Sequence, residues 1–210
     1  MTFQSNFLDA IQAPFPSEEM KALPLFDNIP ELKACDGLQQ NPKHHKYDVL
    51  THTFKVLDNI ATKNPVLRIA ALLHDIGKPE CLRIKDNGEI GFKGHPAMGA
   101  QMADVVCKRL GLDTLTRQHI CTLIENHGVD FRLKDEEKIK FLYMTLGEDF
   151  LTNLMRLNLA DRLGSGYCTP TSYKILSFQK RLKGINNDIQ KSYAHYSPIQ
   201  KASMLPEWNP

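Results

Sequence analysis

Residues 64–79 read NPVLRIAALLHDIGKP, and this stretch decides the fold. Asn64-Pro65 is an N-cap followed by a first-turn proline, a helix start. Val66 to Asp75 continues as an apolar helical run, and Gly77 and Pro79 stop it. Immediately upstream, Asp48 to about Thr62 places Val49, His52, Val56, Leu57 and Ile60 at helical spacing. A connection of about two residues between these helices predicts an antiparallel pair.

Working outward, the helical period persists. Pro96 opens a helix to Leu110, with Gly111 as its C-cap. A further helix runs from about Leu115 to His127 and is closed by Gly128. Lys138–Leu146 and Asp149–Arg162 follow, separated by Gly147, and a last long helix is expected over about 173–189. Toward the N-terminus, residues 3–12 form a short amphipathic piece cut by Pro14 and Pro16. Ser17 is expected to cap a second piece that carries Glu18 and Glu19 in its first turn. Pro24 and Pro30 keep the region up to about residue 46 broken. One departure from helix is visible. Leu82–Asp86 and Glu89–Phe92 alternate around Asn87-Gly88, a strong hairpin signal. The expected fold is all-α, a helical bundle with one small β-hairpin at about 81–92. The expected organisation is an N-terminal extension (1–46) packed on a main domain (47–190), then a tail (191–210).

Composition bounds the function. The 210 residues are 42% hydrophobic and 24% charged, the balance of a soluble globular chain, which excludes disordered and fibrous classes. A chain of this length buries roughly 70% of its unfolded surface, so it needs no metal merely to fold. Any metal site therefore needs a chemical reason. The net charge of +2 does not diagnose nucleic acid, but the charge is uneven. The first forty residues hold Lys21 and Lys33 against six acids. The last forty hold six Lys/Arg against Asp188 and Glu207. That basic end either touches a polyanion or is a solvated helix face. No apolar run reaches membrane-spanning length, and Met1-Thr2-Phe3-Gln4 has no signal-peptide character. The five cysteines include no C-x-x-C pair and read as reduced, mostly buried thiols of a cytoplasmic protein.

Four of the eight histidines sit at informative places: His52, His74, His95 and His127. His52 lies about 15 Å before the first helix–helix connection and His74 about 13.5 Å after it, so the two are level. His95 and His127 stand in the same relation across the second pair, at about 22 and 18 Å. Imidazoles with Asp75 and Asp161 on facing helices make a mixed N/O set. Such a set suits Mn, Fe, Ni, Co or Zn more than Mg or Ca. Asp75 lies between the two helix pairs in sequence and could bridge two divalent metal ions, which would clamp a phosphoryl group. The plain alternative is that each histidine is a satisfied core residue. His44 and His45 are expected to be solvent-exposed in a Pro-flanked loop, His119 to lie on a helix surface, and His195 in the tail.

At this point the sequence resembles a known family. His52 in DVLTHT, His74-Asp75 in LLHDIGKP, His95 in FKGHPAMGA, His127 in IENHG and Asp161 in LADRLG reproduce a pattern in order. It is that of the HD-domain superfamily of metal-dependent phosphohydrolases. HHKYDVLTHTFKVLDNI and the run through LLHDIGKP to GAQMA are similar to the HD portion of bacterial CCA-adding tRNA nucleotidyltransferases. The nucleotidyltransferase head of those enzymes, with its Gly-Ser motif and paired aspartates, is missing, so the resemblance implies a free-standing HD hydrolase rather than CCA addition.

The resemblance implies His52, His74, Asp75 and Asp161 as ligands of a first metal, and His95 and His127 as ligands of a second with Asp75 bridging. Asp75 and Lys78 are the candidate catalytic residues. Lys78 either meets a phosphate oxygen or sits on the helix dipole. Arg162 either meets phosphate or pairs with a neighbouring acid. The expected activity is attack of a metal-bound hydroxide on phosphorus in a small-molecule nucleotide or related phosphate ester, by analogy a 2′,3′-cyclic or 2′-phosphate. The alternative is an RNA-binding module that keeps the metal site without turnover and holds tRNA or another RNA on Lys174, Lys180, Arg181 and Lys183.

Overall fold

The computed structural model describes residues 2–129, 136–169 and 180. Four short helices come first: α1 (Phe3–Ile11), α2 (Pro16–Ala22), α3 (Leu25–Asn28) and α4 (Pro30–Lys33). The pair α5 (Val49–Asp58) and α6 (Pro65–Leu73) follows, then strands β1 (Arg83–Ile84) and β2 (Ile90–Gly91). The helices α7 (His95–Arg109), α8 (Thr114–Asn126) and α9 (Glu136–Gly164) complete the described chain. The fold is thus helical with one antiparallel hairpin.

Helix starts follow local side-chain chemistry. Asp48, Asn64 and Asp113 each accept a hydrogen bond from the backbone N–H three residues on, satisfying donors that a helix start leaves free. The centre of the molecule is α6. Every residue from Leu67 to Leu73 is buried, and the helix packs against α1, α5, α8 and α9. A helix buried on all sides and apolar but for Arg68 belongs inside a core, which is why this stretch organises the rest. Leu57, Leu123, Ile124, Leu154 and Leu157 complete the interior around it.

The N-terminal helices are tied to this core by polar anchors. The Arg68 guanidinium, buried on α6, donates to the carbonyls of Ile11 (2.9 Å) and Ala13 (2.7 Å). Arg109 forms a two-pronged pair with Glu31 at 2.8 and 3.0 Å. Ser17 does not cap α2 as its sequence position suggests. It lies inside the helix, and its backbone N–H and hydroxyl both donate to the Asp58 carboxylate at 3.1 and 2.6 Å. The cap comes from a distant element, which local sequence does not show.

Other boundaries shift for identifiable reasons. α5 ends at Asp58 rather than near Thr62, and the Asn59 amide folds back onto the Lys55 carbonyl at 2.8 Å. The break expected at Gly147 is present: its φ of 83° and ψ of 176° are non-helical and divide α9 into two helical segments. The hairpin closes through Asp86–Gly88 rather than a two-residue Asn-Gly turn. The Lys85 N–H donates to the Glu89 carbonyl at 2.9 Å, and Gly88 takes the left-handed conformation at φ 77°. That is the geometry of a three-residue connection. Among the described residues no helix is long and apolar enough to cross a membrane. The helix expected over 173–189 lies outside the described residues, Lys180 apart, and so does the tail after Ser197.

Candidate metal centre

The chain brings its candidate ligands to helix ends. His74 is the C-cap of α6, His127 is the C-cap of α8, and His95 is the first residue of α7. Asp161 lies in the last turn of α9, and His52 alone sits within a helix, on α5. Carbonyls near a helix terminus lack intrahelical partners and are open to side chains. Two of the imidazoles use such carbonyls, and a third uses one in the turn before α7. The Nδ1 of His74 bonds the Ala71 carbonyl (2.8 Å), that of His95 the Phe92 carbonyl (2.8 Å), and that of His127 the Ile124 carbonyl (2.6 Å). A neutral imidazole that donates its Nδ1–H to a carbonyl keeps the Nε2 lone pair for a metal.

The Nε2 atoms of the four histidines converge. The Nε2 atoms of His52 and His74 lie 3.4 Å apart, and those of His95 and His127 lie 3.2 Å apart. Asp75 stands between the pairs, 1% exposed. Its Oδ2 is 3.4 Å from His52 Nε2 and 3.1 Å from His74 Nε2. Its Oδ1 is 3.3 Å from His95 Nε2 and 3.8 Å from His127 Nε2. Asp161 Oδ1 approaches the first pair, at 3.0 Å from His52 and 3.9 Å from His74. His52, His74 and Asp75 form one group whose ligand atoms lie close enough to share an ion, and Asp75, His95 and His127 form a second.

The donor set fits divalent cations. Facing imidazole lone pairs repel one another unless something positive lies between them. An outer N–H held by a carbonyl is the arrangement that fixes a histidine for metal binding. Burial, strengthened by the nearby His74 charge, pushes the His127 imidazole down to about 4, so it is neutral near pH 7. Burial alone would raise the Asp75 carboxyl. The charges of His74 and Lys78 and the bonds from His74 and His95 instead hold it well below the usual carboxylate range. Burial also opposes the charge on Asp161, but the His52 hydrogen bond outweighs it and lowers the Asp161 carboxyl. His52 moves the other way: the Asp161 bond and charge overcome burial and raise it.

The structure redirects two readings of individual side chains. Lys78 is 5% exposed, and its ammonium donates to Asp75 Oδ2 (2.6 Å) and to Gln40 Oε1 (2.6 Å), with the Phe92 ring 5.5 Å away. Gln40 is buried too and donates its amide to the Tyr47 carbonyl at 3.1 Å. Nothing in the local sequence marked Gln40. His45 is half-buried rather than solvent-exposed. Its ring stands edge-on to His52 at 4.8 Å, and its buried Nδ1 has no hydrogen-bond partner among the described residues. A loop flanked by Pro42 reads as solvated from sequence. Here it is drawn inward by the Lys46 N–H bond to the Ser165 carbonyl (2.9 Å) and by the Tyr167 hydroxyl bond to Pro42. His44 is exposed, and Arg162 bonds Asn158 Oδ1 at 3.2 Å.

Comparison with known proteins adds two findings. The family model described as HD domain matches residues 44–165. Among curated proteins, the A-adding tRNA nucleotidyltransferase of Deinococcus radiodurans is 34% identical over 149 residues, 68% of this chain and 34% of that protein. The CC-adding tRNA nucleotidyltransferase of Thermus thermophilus is 29% identical over 153 residues, 70% of this chain and 35% of that protein. The Multifunctional CCA protein of Methylococcus capsulatus is 30% identical over 139 residues, 61% of this chain and 31% of that protein. The matches thus span about a third of the length of these relatives.

Proposed function

The chain belongs to the HD-domain family, whose superfamily is that of metal-dependent phosphohydrolases, and on that premise we propose that it hydrolyses a nucleotide or related phosphate ester. The observation that carries this reading is the convergence of four imidazole nitrogens on the two oxygens of Asp75. His52, His74, Asp75 and Asp161 would hold one divalent ion, and Asp75, His95 and His127 a second. Two such ions would polarise the phosphoryl group and ready a water for attack at neutral pH.

The residues of the chain do the positioning. Asp75 turns Oδ2 to one histidine pair and Oδ1 to the other, and so would serve both ions. Lys78 holds Asp75 Oδ2, and Gln40 holds Lys78, so the ammonium acts through Asp75 rather than reaching a phosphate. Asp161 and His95, with side chains 29% and 20% exposed, mark the face a substrate would enter.

The names of the relatives, all tRNA-directed or CCA proteins, support a ribonucleotide ester, either a 2′,3′-cyclic phosphate or a 2′-phosphate. The test is a panel of 2′,3′-cyclic and 2′-nucleotides incubated with protein loaded with Mn, Ni or Co. Ring opening or phosphate release is expected. It should stop with a chelator and in Asp75→Ala, and unchanged turnover in that folded variant refutes the reading. The same relatives favour a second reading, RNA binding without turnover. A steep fall in filter-bound RNA with added salt, in the absence of hydrolysis, would establish it instead.

A further inference from the structure

The two halves of the centre meet through bare backbone. A Cβ placed on Gly77, three residues after His74, would lie 2.5 Å from the Gly99 nitrogen, 2.6 Å from the His95 carbonyl oxygen and 2.9 Å from the Gly99 Cα. All three atoms are backbone of the first turn of α7, which begins at His95. On the other side, a Cβ on Gly99 would meet Gly77 N and the His74 carbonyl at 3.5 Å and Ile124 Cγ2 at 3.4 Å. The turn that carries His74 and Asp75 therefore rests directly on the turn that carries His95. Ile124, three residues before His127, backs the contact from α8.

We propose that the Gly77–Gly99 apposition sets the distance between the two halves, and that Gly77 is the positioning residue which lets the second ion bind. The inference rests on the two-ion reading above and adds the device that spaces it. A methyl group at position 77 faces backbone, which cannot rotate aside as a flexible side chain can. Ordinary van der Waals separation would require the first turn of α7 to move by about 1 Å. Metal–ligand distances tolerate only about 0.2 Å. His95, and with it the packed α8 end that carries His127, would leave the reach of Asp75 Oδ1. His52 and Asp161 sit on α5 and α9, which supply none of the atoms nearest either glycine, and His74, whose carbonyl borders the contact, keeps its ring seated on the Ala71 carbonyl of α6.

The experiment counts manganese per folded chain by elemental analysis after equilibrium dialysis and records the Mn(II) electron paramagnetic resonance spectrum. The wild type should hold two ions with a spin-coupled spectrum. Gly77→Ala should hold one, with the spectrum of isolated Mn(II), and the second ion weakened at least about tenfold. Gly91→Ala, where a Cβ meets nothing within 4 Å, should keep both ions. Should Gly77→Ala fail to fold, Gly99→Val probes the same contact from the α7 side, with the same loss of one ion expected. Folded Gly77→Ala, or in its place folded Gly99→Val, that retains two coupled ions overturns the proposal and leaves the two-ion reading intact. A folded variant that loses both ions also overturns it. A wild type that binds fewer than two ions sinks the two-ion reading itself, and the proposal with it.

Discussion

The two halves of the centre use the same ring chemistry in different electrostatic settings. His52 and His74 have side chains at most 1% exposed, and two carboxylates serve them, Asp75 through Oδ2 and Asp161. His95 and His127 are 20% and 5% exposed, and among the described residues the carboxylate paired with them is Asp75, through Oδ1. Burial works against a charged imidazole in both halves, yet His52 is raised and His127 falls to about 4. The difference is Asp161. Carboxylate supply, rather than depth, decides which half is the more strongly negative, and the first half should therefore hold its ion more tightly.

The largest expected effect erases the comparison. Asp75→Ala removes the oxygen that each half needs. Metal content should fall to zero and hydrolysis by roughly a thousandfold, the scale of several kcal/mol of lost charge stabilisation. Separating the halves comes next. Asp161→Asn should cost the first half its ion, while His127→Gln should leave one ion per chain. Competition titrations with a metal indicator would order the affinities, and a His127→Gln protein that loses both ions would break the comparison.

Lys78→Met probes the shared bridge. Losing the partner of a buried carboxylate is expected to destabilise metal-free protein by about 3 kcal/mol. Added Mn(II) should narrow that deficit, because a cation then stands beside Asp75 again. Urea midpoints with and without metal test this.

Acid should distinguish the halves by sign in metal-free protein. His127 takes up a proton less readily folded than unfolded, so its half loses stability as pH falls from about 6.5 towards about 4. His52 is raised by folding, so its contribution is present below about 6.5 and is lost as pH rises through its folded value. His127→Gln should flatten the acid limb of a plot of urea midpoint against pH, and His52→Gln should flatten the opposite limb. The smallest effect is a control outside both halves. Arg109→Ala, which removes the partly exposed pair with Glu31, should cost about 0.5 kcal/mol, shrink with salt and leave metal content unchanged.

Much of this was legible in the sequence because it is local. Asp48, Asn64 and Asp113 announce their helices by residue type, and the apolar run of α6 announces a core helix. Counting the helical rise to each connection set His52 level with His74 and His95 level with His127, the pairs whose Nε2 atoms lie 3.4 and 3.2 Å apart. What escaped depends on distant partners. Ser17 finds Asp58 forty-one positions away, and Gln40 finds Lys78 across thirty-eight. His45 turns inward because its loop is fastened to residues 165–167, a contact no periodicity encodes. Lys78 read equally as a phosphate contact or a helix-end lysine, because its neighbours in sequence do not reveal that it is buried against Asp75 and Gln40.

The guanidinium of Arg68 has a practical consequence for anyone trimming the molecule. The family match begins at residue 44, but Arg68 reaches back to carbonyls at the end of α1. A fragment cut at that boundary would strand a cation beneath the surface with its acceptors gone, and would bare the hollow that Phe7, Ile11 and Met20 now fill. Such a fragment is expected to clump in solution whether or not its histidines are intact, so expression trials should keep the first helix.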